Sequence, residues 1–394
     1  MPGPLDGIRV IDLTAIISGP MATQVLADQG ADVIKIEPPG GGDLMRYMGT
    51  QSNGVSAMFA TTNRNKRSVV LDLKQQSGID LLKQLVHTAD VFVQNFRPGA
   101  VERMGLGFDV LASLNPMLVY VSITGFGRDG PYAQQRVYDA VVQGVAGFAA
   151  TQGGPNGRGP ELVRSIICDK VTAITAAQAI TAALLARERR GTGQHVELSM
   201  LDASLSFLWP DSMWNHTFLS DDATRLPPLA DMYRIVATAD GHVIMNVVSD
   251  REYQGLCRSL QREDLIDDSR FAAMDARVRH AAELAGIIEN ESIKFSTAEL
   301  CASLEREHVP GARVNALDDI ARDPQVRHSG CLLESRHPVA GLIRQPRPAA
   351  CFDGTPAENL RASPALGEHT DEVLGELGLG AAARAGLRES GVIE

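Results

Sequence analysis

The residue best placed for chemistry in this 394-residue chain is Asp169. It stands in "SIICDKVTAITAAQ" (165–178), between an apolar run and an alanine-rich segment that ends in "ARERRGTG". The alanines, the cations near the end and Gly191 after them predict a helix that begins at Asp169. An aspartate there is most often an N-cap worth ~1 kcal/mol. The position also suits a nucleophile, because helix N–H groups stabilise a carboxylate and a developing oxyanion; composition alone leaves both interpretations open.

A second group of candidate residues is basic. Between Asn63 and Arg103 the chain has seven cations and four acids, a local charge of +3 in a chain of net charge −11. The cations are Arg64, Lys66, Arg67, Lys74, Lys83, Arg97 and Arg103. Several lie near the ends of predicted strands, where ligands bind in parallel sheets, so a phosphorylated ligand is one interpretation, with Phe96 as a stacking surface. Charge alone slightly favours the other interpretation, a solvated loop surface.

A third candidate is "RVYD", which places Arg136 beside Tyr138 and Asp139 at a predicted helix start. The simplest interpretation of Asp139 is a helix cap. Other common sites lack their signatures. The turn "LTAIISGP" has only Gly19 where a dinucleotide site needs three glycines, although Glu37 stands where its acid would lie.

The remaining composition excludes several function classes. Five scattered cysteines and nine histidines show no metal-ligand spacing, and G-x-S-x-G is absent, so we predict no metal site, disulfide framework or serine hydrolase. The acidic balance disfavours a nucleic-acid binder. The start of the chain lacks the pattern of a signal peptide, and no apolar run approaches ~18 residues, so a cytoplasmic protein is expected.

The elements that must position these residues alternate between strands and helices. The predicted strands are 8–13, 31–37, 68–73, 90–96 and 117–123. The predicted helices between them include 21–30 and 77–89. This alternation predicts an α/β fold with a parallel, Rossmann-like sheet. A proline- and aromatic-rich linker is predicted at 206–230, followed by a smaller α+β domain with a hairpin at 239–248.

Several ordered motifs together resemble family III CoA-transferases, the group of formyl-CoA transferase, carnitine CoA-transferase and the α-methylacyl-CoA racemases. The motifs are "PLDGIRVIDLT", "SGPMATQVLADQGADVIKIEPPGGGD", "NRNKRSVVLDLK", "NFRPGAVERMGLGFDVL", "SITGFGRDGPYAQ" and "ARERRGTGQHVELSMLDA". They cover 4–205 densely and the rest of the chain weakly. The resemblance implies a large Rossmann-like domain from 1–205 and 331–394, a small domain with its return linker over 231–330, and an interlocked homodimer.

Carried onto this sequence, the resemblance implies coenzyme A and acyl-CoA as substrates, small carboxylic acids as partners, and no prosthetic group. The implied CoA-binding residues are Leu71, Lys74, Asn95, Phe96, Arg103, Arg136, Tyr138 and Asp139. Asp169 aligns with the catalytic aspartate of the family. The implied reaction therefore moves CoA from an acyl-CoA to a free acid through an aspartyl anhydride and an aspartyl thioester.

Two alternatives stay open beside this prediction. A family racemase uses a histidine in a "GHD" triplet, where this chain has Tyr138, and tyrosine with a pKa of ~10 is a poor base at neutral pH. A CoA-binding protein without catalysis is the second alternative. Ile17 and Pro38 replace a glutamine and an arginine of formyl-CoA transferases, and "NVVSDREYQ" lies where those enzymes have a glycine-rich loop. Formate and oxalate are therefore not the expected substrates.

Overall fold

The computed structural model describes residues 3–153, 159–356 and 361–394. Its strands are β1 Arg9–Leu13, β2 Asp32–Glu37, β3 Gln51–Ser52, β4 Val55–Ser56, β5 Lys66–Val70, β6 Val91–Gln94, β7 Val119–Thr124, β8 Gln194–Ser199, β9 Arg234–Ala237, β10 His242–Met245, β11 Gly311–Arg313, β12 Leu332–His337 and β13 Gly341–Pro346. Its α-helices are α1 Ser18–Asp28, α2 Ala57–Thr62, α3 Gln76–His87, α4 Ala100–Arg103, α5 Phe108–Leu114, α6 Asp139–Ala146, α7 Phe148–Gln152, α8 Ile167–Arg190, α9 Met200–Ser212, α10 Asp250–Ser259, α11 Met274–Arg279, α12 Ala281–Ser292, α13 Thr297–Arg306, α14 Pro324–Ser329, α15 Thr370–Glu376 and α16 Ala381–Glu389.

The chain forms two compact units. The first comprises Met1–Gly153, Gly157–Leu208 and Gly330–Glu394, and the second is built mainly from Trp209–Ser329. In the second unit, β9, β10 and β11 form an antiparallel sheet in the order β11–β10–β9, whose apolar side chains pack with those of α10, α12 and α13. All residues of the candidate site described below belong to the first unit.

The first unit is organised around six parallel strands in the order β5–β2–β1–β6–β7–β8, which confirms the predicted parallel α/β sheet. β1 pairs with β2 on one side and β6 on the other, so that Val10 lies opposite both Val33 and Val91. From β1 the chain first adds β2 and β5 on one side of the sheet and then β6, β7 and β8 on the other, so the order of strand addition reverses between β1 and β6. In sheets of this kind, the carboxyl ends of the strands at such a reversal border a crevice where ligands bind.

Helices α1 and α8 cover one face of this sheet. Small residues make close contact possible: Ala22 and Ala27 of α1 and Ala173, Ala176 and Ala177 of α8 belong to one buried cluster. By length and composition α8 could cross a membrane, but about half of it is buried in this core, as in a central helix of a globular domain. The alanine-rich stretch therefore serves close packing, and this packing fixes where α8 begins relative to α1.

The opposite face is covered by α3, α5 and the C-terminal end of the chain. Leu82, Leu85 and Phe92 pack there with Val373 and Ile393, all nearly inaccessible to solvent. Backbone hydrogen bonds join the chain end to the segment after β5: the N–H of Asp72 donates to the carbonyl of Val392 at 2.8 Å. Both ends of the chain thus contribute to the core of the first unit.

Candidate active site

Asp169 lies in the first turn of α8 but does not cap it. The helix begins at Ile167, and its N-cap residue, Ile166, makes no side-chain capping hydrogen bond. The prediction that Asp169 is the N-cap is therefore wrong, because the helix begins two residues earlier. The cap comes from Asp139 at the start of α6, whose Oδ1 accepts the backbone N–H groups of Cys168 at 2.7 Å and Asp169 at 3.1 Å. Two N–H groups of the first turn are thus satisfied by a residue that lies 29 and 30 positions earlier in the chain.

Gln143, one turn after Asp139 on α6, completes this cap. Its Nε2 donates to Asp139 Oδ2 at 2.6 Å and to the carbonyl of Ser165 at 3.2 Å. Its Oε1 accepts the N–H of Val163 at 2.9 Å. Asp139 and Gln143 are both buried. Together they fix the segment 163–165 and the first turn of α8, and they hold Asp169 in place.

The side chain and the backbone N–H of Ser18, the first residue of α1, face the carboxylate of Asp169 and stabilise its ionised form. The N-terminal end of α1 carries partial positive charge and favours an anion at this point. Gly19 follows, and a Cβ at this position would lie 2.3 Å from the Thr14 side chain. The single glycine of "LTAIISGP" thus permits close packing of the turn onto itself rather than forming a phosphate loop.

Burial, followed by the charge of Asp139, raises the pKa of Asp169 to about 6 against the opposing effect of Ser18. The residue is only 8% exposed. At neutral pH the carboxylate is mostly ionised, yet it is more basic than an ordinary aspartate. Such a group combines a high anionic fraction with increased nucleophilicity, as catalytic carboxylates require.

The turn between β1 and α1 forms one wall beside Asp169, and polar side chains hold it. Asn95, which directly follows β6, accepts the N–H of Ala15 at 2.9 Å and donates to its carbonyl at 2.8 Å. Asp43 accepts the N–H of Ile16 at 3.2 Å. Ile16 has a φ of 72°, a left-handed conformation that costs a β-branched residue ~1–3 kcal/mol. The surrounding bonds thus maintain a strained turn at the crevice between β1 and β6.

Asp169 lines a cavity of about 520 Å³. Aliphatic and methionine side chains form most of its lining: Ile16, Ile17, Leu44, Met45, Met48, Met58, Leu162, Val163 and Ile166. The polar lining residues are Tyr138, Asp139, Gln143, Arg164, Ser165 and Asp169. A largely apolar cavity with a few convergent polar groups has the composition of a small-molecule site.

The residues implied as CoA ligands occupy two kinds of position. Lys74, Phe96, Arg103 and Arg136 are exposed, the first two after the carboxyl ends of β5 and β6. Lys74, Arg103 and Arg136 form no ion pair with any described residue. The other four have structural roles within the first unit. Leu71 is buried in the core, Asn95 holds the β1–α1 turn, Tyr138 is the N-cap residue of α6 with an exposed ring at the cavity, and Asp139 caps α8.

Three cations of the predicted basic cluster are not available to a ligand. Arg64 forms a double hydrogen bond with Asp28, at 3.0 and 2.7 Å. Lys66 donates to Asp12 at 2.9 Å, and Arg67 pairs with Asp32, Glu372 and Glu376. All three are buried, and Lys66 and Arg67 lie within β5, whereas a loop was expected there. For these residues the phosphate-binding interpretation is wrong, because their charges are neutralised inside the protein.

Sequence reasoning missed Ser18, which faces Asp169, and also Gln143 and Arg164, which line the cavity. Ser18 had an available signal, because the first strand-to-helix turn of a parallel sheet is where a ligand is expected. Gln143 follows Asp139 at helical spacing, i and i+4, which indicates a shared helix face. Glu37 is the acid of the rejected dinucleotide pattern. It forms a salt bridge with Arg46 at 2.6 Å and accepts a hydrogen bond from Ser68 at 2.7 Å, so its carboxylate is bonded within the protein.

Comparison with known proteins identifies relatives across nearly the whole chain. A family model described as CoA-transferase family III matches residues 5–370. The succinate–glutarate CoA-transferase of Agrobacterium fabrum is 39% identical over 384 residues, covering 95% of this chain and 96% of that protein. The formyl-CoA:oxalate CoA-transferase of Shigella sonnei is 32% identical, covering 96% of each. A crystal structure of a CAIB/BAIF family protein from Brucella suis matches with a TM-score of 0.85 at 32% identity, covering 96% of this chain and 100% of that one.

Proposed function

The chain belongs to CoA-transferase family III, and from this premise we propose that it transfers coenzyme A from an acyl-CoA thioester to a free carboxylic acid with Asp169 as the nucleophile. The observation that carries the proposal is the setting of Asp169. Its carboxylate is buried, has a pKa of about 6, and faces a cavity of about 520 Å³. A purely structural acid would not be expected to keep a raised pKa beside such a cavity.

In the first half of the reaction, a carboxylate oxygen of Asp169 attacks the thioester carbonyl carbon of the donor. The new C–O bond forms as the C–S bond breaks, which gives a mixed anhydride and free CoA thiolate. The thiolate then attacks the carbonyl carbon of Asp169 within the anhydride. The C–O bond to the donor acyl group breaks, the donor acid leaves as its carboxylate, and an aspartyl-CoA thioester remains.

In the second half, the acceptor carboxylate attacks the aspartyl thioester and expels CoA thiolate, which forms a second anhydride. The thiolate attacks the acceptor carbonyl carbon, and Asp169 is released as its carboxylate. Two of these steps place negative charge on the carbonyl oxygen of Asp169 itself. Ser18, whose backbone N–H and hydroxyl face this carboxylate, is positioned to stabilise that charge.

We assign the binding of the CoA phosphates to the exposed cations Lys74, Arg103 and Arg136, with Phe96 as a stacking surface. Asp139 and Asn95 become positioning residues in this proposal: Asp139 holds the start of α8, and Asn95 holds the turn before Ser18. The family resemblance also implies an interlocked homodimer. The exposed apolar side chains of Phe218, Leu219 and Leu226 in the second unit are consistent with a further protein surface covering them.

The proposal is tested by trapping the intermediate. With an acyl-CoA that supports transfer, added hydroxylamine should convert Asp169 to its hydroxamate, which peptide mass spectrometry locates. The screen that finds such a donor pairs acyl-CoA thioesters with free acids. If no pair exchanges CoA and CoA still binds, the protein is a binder without catalysis. A 2-methylacyl-CoA that gains α-deuterium in deuterated water without any acceptor acid would instead identify a racemase.

The pH dependence of the rate gives a second test. The Asp169 carboxylate must be ionised to attack, and its pKa is about 6. We therefore expect kcat/KM to be level above pH 7 and to fall ~10-fold per pH unit below pH 6. Initial rates between pH 4.5 and 8.5 measure this fall, the acidic limb of the pH–rate profile. A limb near pH 4, typical of an exposed aspartate, would contradict the assigned environment.

The control must remove a second group that titrates in the same range, because a phosphate monoester such as the 3′-phosphate of CoA has a pKa near ~6. The same profile should therefore appear with a dephospho-CoA thioester. In Asp139→Asn, the neighbouring negative charge is removed while an oxygen that can accept the two N–H groups is kept. The limb should then move to lower pH, since Asp139 raises the pKa of Asp169.

A further inference from the structure

Arg164 is a cation that the reaction described above does not use. It lies two residues before the N-cap of α8 and lines the same cavity as Asp169. Its side chain is exposed and has no hydrogen-bond or ion-pair partner among the described residues. This sets it apart from Arg46, Arg64 and Arg67 of the same unit, each of which pairs with an internal carboxylate.

The backbone on both sides of Arg164 is fixed by Gln143. This side chain accepts the N–H of Val163 at 2.9 Å and donates to the carbonyls of Val163 at 3.3 Å and Ser165 at 3.2 Å. Gln143 also bonds to Asp139, which caps α8 and holds Asp169. Arg164 and the nucleophile therefore have their backbones positioned by the same pair of side chains on α6.

The polar groups that line the cavity differ in their partners. Asp169 reacts at one position, and the other carboxylate in the lining, Asp139, is already satisfied by backbone N–H groups and Gln143. Among the described lining residues, Arg164 is the one cation. The rest of the lining consists mainly of aliphatic and methionine side chains, which suit methylene groups.

We propose that Arg164 binds the distal carboxylate of a dicarboxylic acid whose other carboxyl group reacts at Asp169, so that the transferred groups are ω-carboxyacyl groups. The proposal rests on the proposed function and names its substrate class. A guanidinium presents two parallel N–H donors to a carboxylate, which gives both charge neutralisation and orientation. A monocarboxylic acid of equal length fills the apolar part of the cavity but leaves the guanidinium without a partner.

Isotope exchange between an acid and its own thioester tests this with one acid at a time. Labelled glutarate is incubated with glutaryl-CoA, and labelled pentanoate with pentanoyl-CoA, and label entering the thioester is followed by mass spectrometry. The wild-type protein should prefer glutarate. Arg164→Gln should lower kcat/KM for glutarate exchange ~10–100-fold and leave pentanoate exchange within ~3-fold. Arg164→Lys should recover part of the loss, since lysine restores the charge but not the paired donors.

Arg128→Gln is the matched control. Arg128 is an exposed arginine that pairs with Glu197 at 3.5 Å and does not line the cavity, so both exchanges should keep their wild-type rates. If Arg164→Gln lowered kcat/KM equally for both acids, the proposal would be wrong, and Arg164 would instead serve CoA binding or the stability of the fold. The proposal would also be wrong if Arg164→Gln left the ratio of glutarate to pentanoate exchange unchanged, or if the wild-type protein preferred pentanoate. Neither result would contradict CoA transfer itself.

A binding measurement separates this proposal from the proposed function. Free glutarate should raise the melting temperature of the wild-type protein, and Arg164→Gln should abolish the increase, without any chemical step. If no acid exchanges and no hydroxamate forms, CoA transfer is wrong, yet glutarate binding that depends on Arg164 still supports the subsite. If glutarate stabilises both proteins equally, the subsite is wrong.

Discussion

Asp169→Asn should lower the rate of CoA transfer at least ~10⁴-fold and also make the folded protein more stable at pH 7. The loss of rate has a simple cause. The amide that replaces the carboxylate cannot form the anhydride or the thioester, and no other described carboxylate of the cavity is free to replace it, since Asp139 is bonded to N–H groups and Gln143. CoA binding should persist, because the exposed cations assigned to the phosphates are unchanged.

The gain in stability follows from the direction of the pKa shift. The pKa of Asp169 in the folded protein is about 6, above its ordinary value of 3.8, because burial and Asp139 disfavour the ionised form. Folding therefore favours the protonated carboxyl, and this contribution is present below pH ~4 and lost as the pH rises through 6. At pH 7 the ionised side chain makes the fold less stable by ~1–3 kcal/mol. Asparagine keeps the shape without the charge.

Urea denaturation at pH 7 and pH 4.5 measures both parts of this prediction. The variant should be more stable at pH 7, and its advantage should shrink at pH 4.5, where the wild-type carboxyl is mostly protonated. Asp139→Ala is the matched control at the same helix start. It removes the cap of α8 and should destabilise the protein by ~1 kcal/mol at pH 7. If Asp169→Asn is destabilising as well, Asp169 is a structural residue and the nucleophile assignment fails.

The sheet could be predicted from the sequence because its strands are short β-branched runs between turn residues, and β1, β2, β6 and β7 match their predicted segments closely. The order of the strands in the sheet could not be predicted in the same way. Nothing local in the sequence tells whether β6 pairs with β1 or with β5, and the crevice beside Asp169 depends on this pairing. The predicted Rossmann-like sheet carried no strand order, and the pairing is known from the structure.

The start of α8 could be located only to within two residues for a related reason. A local rule looks for a capping side chain at the helix start, but Ile166 provides none. The cap comes from Asp139, and the two segments are brought together by the packing of α6 against α8. The sequence nevertheless led to Asp169 as the candidate residue, since both the composition of the helix and the family motif point to it.

Charge counting failed for the basic cluster because it treats every cation alike. Whether a lysine is buried depends on acids far away in sequence: Lys66 meets Asp12, which lies 54 positions earlier. In the same segment, Lys74 has an exposed side chain just beyond β5. These two lysines stand in one motif, "NRNKRSVVLDLK", yet they have opposite surroundings, which makes them a natural pair for an experiment.

Lys66→Met should lower the free energy of unfolding by ~3–5 kcal/mol. Lys66 is almost fully buried and donates to Asp12 at 2.9 Å, to the carbonyl of Pro20 at 2.8 Å and to Asn63 at 2.8 Å. Burial by itself raises the pKa of Asp12, but the charges of Lys66 and Lys35 outweigh it and hold that pKa well below its usual range. Without Lys66, the Asp12 carboxylate loses its closest counter-charge in a site without solvent.

Urea denaturation at pH 7 measures the loss, and Lys74→Met is its matched control in the same motif. Lys74→Met should leave the urea midpoint unchanged, because its exposed ammonium group forms no ion pair with any described residue, and should raise KM for acyl-CoA ~3–10-fold. Equal midpoints for Lys66→Met and wild type would contradict a structural role for Lys66. If Lys66→Met were as stable as wild type and impaired only in CoA binding, the whole segment would have to be interpreted as a ligand site.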